Sequence, residues 1–240
     1  MKFRTVCCVA ALALLISVPS TAADKIKVGT FPIPLMVDDS KKGIFIELAN
    51  EIAKRAGLEF EITVLPPQRT HEEFQDGKLD VIFPALDVNF PPDKKPLKSK
   101  EIIYIKRDFA FTKKGTPLLK SIADLEGKTV GLTLGYPYVK ELTENKKIKF
   151  DVGPTDETNA QKLAAGRFAA FVVEEKSGLQ AFKKASVADQ IQYDPQSPLS
   201  KQEVYFALHK GAEAIEGKIS KALAEMKTDG TFGKIMSKAN

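Results

Sequence analysis

Phe31, Arg69, Asp87, Gly135, Tyr136, Tyr138 and Glu174 share one placement. Each stands just beyond a short apolar run that a turn signal or charged residue ends. Such runs read as strands, and in open α/β sheets ligands gather outside the carboxyl ends of strands. The chemistry on offer is recognition: aromatic faces, one guanidinium, two carboxylates, and backbone N–H groups freed by a glycine. Catalysis has no matching set. No nucleophile stands with a base, and His71 and His209 are isolated along the chain. With no paired histidines, neither a metal site nor a cofactor is expected.

Each candidate also has a plain structural reading. Phe31 either seals a core or faces a cleft. Arg69 is either a solvated side chain at a helix start or a ligand contact, and a cation is unfavourable at a helix N-terminus. Tyr136 and Tyr138 either pack under a loop or flank an anion site, since Gly135 would present N–H groups at a helix start. Of Glu174 and Glu175, one reads as the solvated first residue of a loop and the other as a partner for a ligand cation.

The elements that must hold these residues follow from periodicity. "IKVGT" (26–30) alternates as a strand, and Pro32 stops it. In "GIFIELANEIAKRAG", Ile46, Ala49, Ile52 and Ala53 recur at helical spacing, and Gly57 sits at a left-handed stop. Leu58, Phe60, Ile62 and Val64 alternate with polar residues as a half-buried strand. Thr70 with Glu73 reads as a capping box for "HEEFQDG", and "LDVIFPA" as the third strand. From Lys128 the same grammar returns: "KTVGLTLG", a helix with Pro137 in its first turn, "IKFDVGP", a capped helix ending at Gly166, and "RFAAFVVEE".

Two strand–helix–strand–helix–strand units predict an α/β protein of two lobes with mostly parallel sheets. The apolar stretches 102–115 and 203–213 each end in Lys-Gly and read as two antiparallel hinge strands. The periodic tail, with Ile215, Ile219, Leu223 and Met226, packs back on the first lobe. The predicted organisation is lobe one from 24–112 plus 207–240, with lobe two, 113–206, inserted.

Residues 1–23 read as a cleaved secretory leader: Lys2 and Arg4, an apolar run from Val6 to Val18, then Thr21 and Ala23 before the cut. The run is too short to span a bilayer, which takes about 20 residues. Cys7 and Cys8 lie inside it and are not placed as a lipid anchor, so the mature chain has no cysteine. Of the net charge of +5, Lys2 and Arg4 supply two. The remaining lysines are scattered among acids, so no nucleic-acid partner is expected. The expected form is a monomer outside the cytoplasmic membrane.

The motifs in order are "IKVGTFP", "GIFIELANEIAKRAGLEFEITVLP", "FQDGKLD", "LEGKTVGLTLG", "LAAGRFAAFVVEE" and "EMKTDGTFGKIM". They cover nearly the whole mature chain, and it resembles the bacterial extracellular solute-binding proteins of family 3, which feed amino acids and related solutes to ABC importers. The resemblance implies a type II-like periplasmic binding protein whose lobes close on a small ligand and meet a membrane permease. It also implies that Glu174 takes the place of the family's ammonium-binding Asp, that Gly135-Tyr136 takes the place of its carboxylate-binding helix start, and that Phe31 stacks on the ligand.

One departure bears on the ligand. The family's amino-acid binders carry Ser-x-Thr-x-x-Arg after the third strand, where the Arg clamps a carboxylate in bidentate fashion. Here the segment reads "ALDVNFPPDKKPLKSKEIIY", with no Arg. Lys94 or Lys95 is the replacement within it, a point charge without the fork, and Arg69 offers a cation from another loop. The expected function is capture of a small polar solute, an amino acid or related compound. The alternatives are a periplasmic lyase of the cyclohexadienyl-dehydratase type, which uses a cleft carboxylate as proton carrier, and a ligand-sensing module for a signalling partner.

Overall fold

The computed structural model describes residues 25–33 and 36–239; the leader reading of 1–23 lies outside them. The elements run β1 (Ile26–Thr30), α1 (Ile44–Ala56), β2 (Phe60–Val64), α2 (Pro67–Gln75), β3 (Val81–Ala85), β4 (Leu97–Lys98) and β5 (Tyr104–Lys113). They continue β6 (Thr129–Thr133), α3 (Lys140–Thr143), β7 (Lys149–Gly153), α4 (Asp156–Ala164), β8 (Ala170–Glu174) and α5 (Glu175–Lys184). The last are β9 (Ile191–Gln192), β10 (Ser200–Leu208), α6 (Glu213–Thr228) and α7 (Thr231–Met236).

The strands follow the order β2-β1-β3-β10-β5-β8-β6-β7. β1 pairs in parallel with β2 and β3, and β6 pairs in parallel with β7 and β8. The two units therefore have the same internal order, as the repeated grammar requires. Between them β5 and β10 pair antiparallel, Tyr104 opposite Val204 and Asp108 opposite Ser200. These are the expected hinge strands. Their cores change hands in mid-strand: Tyr104 packs on the first unit's core, while Phe109 and Phe111 are in the second's. On β10, Val204, Phe206 and Leu208 belong to the first.

Each sheet is covered on both faces. In the first unit, Val28, Val81, Phe83 and Phe206 meet α1, α6 and α7, while Ile82, Ala85 and Tyr205 meet Phe74 of α2. In the second, Phe111, Phe171 and Val173 meet α4 and α5, while Val130, Leu132 and Val172 meet Leu142 of α3. Two-sided burial explains why β3, and β8 up to Glu174, are apolar; the edge strand β2 alternates because one of its faces is half-buried and the other exposed.

Local chemistry sets the helix ends. Glu47 in the first turn of α1 and Lys54 and Arg55 in its last complement the helix dipole, and Gly57 closes it at φ 62°. Gly43 before α1 has φ 125°, and an added Cβ would lie 2.4 Å from the Met36 carbonyl oxygen. Thr155 caps α4, accepting from Thr158 N at 3.1 Å.

Two expected helix starts are corrected. Thr70 caps nothing: α2 begins at Pro67, where a missing N–H costs nothing, and the Thr70 hydroxyl donates inside the helix to carbonyls of Thr30 and Pro66. After β6, the helix begins only at Lys140 and has four residues. Pro137 lies outside it, so Gly135, at φ 79°, stands in the turn beyond β6 rather than opening a helix. The tail, read as one periodic run, is two helices broken at Gly230 (φ 80°).

Candidate functional site

The carboxyl ends of β6, β7 and β8 gather carboxylates. Glu174 ends β8 directly opposite Asp108 of the hinge strand β5. Its Oε1 accepts from the Tyr104 hydroxyl at 2.6 Å, and its Oε2 accepts from the N–H and hydroxyl of Ser177 at 2.9 and 3.0 Å. Glu174 is thus the N-cap of α5 and a tie between a hinge strand and the second unit. Burial, then the Glu174 charge and hydrogen bond, push the Tyr104 phenol above its ordinary range, so it remains a donor.

Asp156, at the start of α4, lies beyond β7. It accepts from Thr133 Oγ1 at 2.5 Å and from the Tyr136 hydroxyl at 2.7 Å. Burial raises its pKa. The two hydroxyls partly offset this, and the charges of Glu157 and Glu174 add to it.

Asp108 is 1% exposed and Lys106 8%, and they form a pair on one face of β5, with Nζ 2.5 and 2.6 Å from the two carboxylate oxygens. Ser200 donates to Asp108 at 2.8 Å. Lys106 Nζ and Gln202 Nε2 both donate to the Pro137 carbonyl, at 3.3 and 3.2 Å, which joins both hinge strands to the loop after β6. Lys106 also lies 5.5 Å from the centre of the Tyr138 ring. Gln202 Oε1 is buried without a partner among the described residues.

The first unit presents a different surface. Asp87, after β3, accepts from the Tyr205 hydroxyl at 2.7 Å and pairs with Lys98, with Lys95 at 3.9 Å. Burial pushes Asp87 up, but Lys98, Tyr205 and Lys95 outweigh it and hold the carboxyl below its usual value. Beside it, Phe31 and Phe90 flank the His71 ring at 6.0 and 5.9 Å. Val88 faces Val139, Lys140 and Glu144 of the second unit across an opening of about 590 Å³.

The sequence candidates divide accordingly. Glu174, Tyr136 and Asp87 stand just beyond or at strand ends: Glu174 accepts from neutral donors, Tyr136 donates to Asp156, and Asp87 pairs with lysines. Phe31 is half-buried beside His71, so its ring is available at the end of β1. Tyr138 is buried and its hydroxyl is used twice, accepting from Thr133 N and donating to the Val172 carbonyl, which is the packing alternative. Arg69 is exposed and held by Glu73 at 2.8 Å, the solvated alternative. Glu175 is bound by Arg107 and by Tyr193, whose phenol is pushed up to about 12 by burial and by that carboxylate. Lys94 is exposed in the loop before β4, while Lys98 is the lysine that reaches Asp87.

Lys106, Asp108, Asp156 and Gln202 were not on the sequence list. The first two had a signal: in "YIKRDFAF", two charges two residues apart lie on one face of an otherwise apolar strand.

The model of the bacterial extracellular solute-binding proteins, family 3, matches residues 26–239. This chain belongs to that family. Among family-type relatives, the L-cystine-binding protein TcyJ of Escherichia coli strain K12 is 29% identical over 214 residues, spanning 88% of this chain and 79% of that one. An ancestral arginine-binding protein, solved bound to arginine, is 27% identical with a TM-score of 0.66, covering 89% of this chain and 97% of its own. The GluR0 ligand-binding core from Nostoc punctiforme, at 21% identity and a TM-score of 0.70, shares the fold. The chain is therefore a two-lobed solute-binding protein. Among the described residues no helix is long and apolar enough to cross a membrane, and no cluster of three or more metal-ligating side chains occurs.

Proposed function

We propose that this protein captures a small solute carrying an ammonium or guanidinium group between its lobes, as a monomer outside the cytoplasmic membrane, and delivers it to the permease of an ABC importer. The lobes divide within the hinge strands: Tyr104 and the chain from Val204 onward belong to the first, Phe109 and the chain that follows it to the second, with bending centred where the cores change hands on β5 and β10. One observation carries the ligand class. Asp156 and Glu174 stand beyond the second lobe's strand ends and accept from hydroxyls and an N–H, while buried Asp108, opposite Glu174 on β5, is paired with Lys106. Hydroxyls and N–H groups satisfy the carboxylates without neutralising them, so the surface keeps excess negative charge. Amino-acid relatives that include cystine and arginine binders agree with a solute of this size.

Glu174 is the proposed contact for the cationic group, with Asp156 behind it through Tyr136. Phe31, Asp87 and Lys98 face it from the first lobe. An anionic group on the solute would meet Lys98 as a point charge, in place of the family's Arg fork. Ligand contacts to both lobes favour the closed form, which the permease then recognises. On this reading the protein binds without turnover, and incubation with prephenate-like acids leaves them unchanged.

The test is a thermal-shift panel of cationic amino acids, polyamines, neutral amino acids, organic acids and sugars. A true ligand at a hundred times its Kd adds about 2.7 kcal/mol. Cationic solutes should shift the melt, and Glu174→Gln should weaken them by at least about tenfold, the loss of one charge-assisted contact. Shifts from organic acids or sugars alone would sink the proposal.

A further inference from the structure

Away from the strand ends, α1 and α7 border a groove of about 670 Å³ on the outer face of the first lobe. Lys41 and Lys42 lie at one end of α1, Lys54 and Arg55 at the other, and Lys234 and Lys238 line the α7 side. The helix between these ends is about 20 Å long. Two acids line the same groove, and both are engaged: Glu47 by Lys238 at 2.6 Å and Glu51 by Arg55 at 2.7 Å. Arg55 also holds Asp229. Asp39, on the adjoining loop, turns its carboxylate onto the N–H groups of Lys41 and Lys42. Lys41, Lys42, Lys54 and Lys234 remain exposed, with no ion-pair partner among the described residues.

The six cations of this face outnumber Glu47, Glu51, Asp229 and Asp39 by two, out of the net charge of +3 left when Lys2 and Arg4 are set aside from the chain's +5. The rest of the surface is close to neutral, so the charge is directional. The groove has no apolar floor: Ile235 is its one aliphatic lining side chain, and it is buried. A docked peptide helix needs apolar anchors, which are absent here. Lysines are compact point charges on long stems, suited to a diffuse array of phosphates rather than to bidentate carboxylate recognition.

We infer that this face rests on an anionic phospholipid surface, holding the protein near the membrane with the lobe carrying α1 and α7 against the headgroups. The inference is independent of the ligand class proposed above, because none of these lysines stands at a strand end.

The test is co-sedimentation of the exported, leader-processed protein with vesicles of phosphatidylcholine alone and of phosphatidylcholine mixed with phosphatidylglycerol. Binding should require phosphatidylglycerol and disappear at about 1 M salt, where the screening length is about 3 Å. Each single Lys→Ala change at 41, 42, 54 or 234 should weaken it by about fivefold. The fourfold charge reversal Lys41→Glu, Lys42→Glu, Lys54→Glu, Lys234→Glu should abolish it. A control of equal charge on exposed lysines of the second lobe, Lys114→Glu, Lys146→Glu, Lys149→Glu, Lys183→Glu, should retain most of it. Equal loss in the control, equal binding to phosphatidylcholine alone, or binding only to membranes that carry an acidic protein partner would each overturn the inference.

Discussion

Asp156 in the second lobe and Asp87 in the first both follow a strand end and both accept a tyrosine hydroxyl, yet they are compensated in opposite ways. Asp156 is held by the hydroxyls of Tyr136 and Thr133, and its pKa is raised. Asp87 is held by Tyr205 and also by Lys98 and Lys95, and its pKa is lowered. Hydroxyls satisfy a carboxylate's geometry and leave its charge; lysines cancel the charge. Two βαβαβ units with one topology thus present unlike electrostatic surfaces to the space between them. The fold positions the groups, and a few partner side chains decide what they attract.

The strongest way to break this contrast is to remove the cation that the second lobe does have. Lys106→Met leaves Asp108 buried and unpaired, which should cost about 3–5 kcal/mol in urea unfolding. Lys106→Met with Asp108→Leu should recover most of that loss, since replacing both partners by apolar groups is often neutral. A single-mutant cost below 1 kcal/mol would show that water, not Lys106, compensates Asp108.

A paired substitution sharpens the comparison directly. Tyr136→Phe takes one of two donors from buried Asp156 and should cost about 1–3 kcal/mol. Tyr205→Phe removes the matching donor from Asp87, but Lys98 remains, so the cost should be nearer 1 kcal/mol or less. Equal costs would erase the distinction between the lobes.

The pH dependence should have opposite signs at the two sites. Asp156 binds its proton more tightly folded than unfolded. Its contribution is complete below the ordinary carboxylate pKa and is lost as pH rises through the raised folded value. Stability of the wild type relative to Asp156→Asn should therefore fall from acid toward neutral pH. Asp87 behaves in reverse: its contribution is complete above the ordinary carboxylate value and is lost as pH falls through the lowered folded one. Wild type relative to Asp87→Asn should gain with rising pH, by less than about 1 kcal/mol because the pair is half exposed. Parallel curves would refute the assignment. The smallest effect expected is of salt: raising ionic strength should weaken the Lys95–Asp87 approach and leave the buried Lys106–Asp108 pair nearly unchanged, read as the salt dependence of a double-mutant cycle made on each pair.

Much of the architecture was legible along the chain. Ile46, Ala49 and Ile52 marked α1 because a helix buries one stripe, and Gly57 marked its end because few other residues accept φ 62°. The repeated Gly-basic-apolar step before β3 and β8 disclosed the two units. Short elements were not legible. Tyr136-Pro137 satisfied the rule for a helix start, yet the Tyr136 hydroxyl is drawn to Asp156 and the Pro137 carbonyl to Lys106 and Gln202, and the chain turns helical only at Lys140. Contacts of that range override local preference over four residues more easily than over thirteen.

At the candidate site the chain order gave Glu174 and Asp87 as ends of apolar strands, because a carboxylate after such a run must reach water or a partner. The choice of partner was decided elsewhere. Tyr104 meets Glu174 across 70 residues, Tyr205 meets Asp87 across 118, and Ser200 meets Asp108 across 92. Sequence alone determined two similar α/β units, the helix stop at Gly57 and the strand ends where chemistry gathers, since periodicity and turn residues act within a few positions. Tertiary structure alone decided which carboxylates keep their charge and which lose it, since compensation depends on distances set by the pairing of β10 with β3, β4 and β5 and of β5 with β8, between residues far apart in the chain.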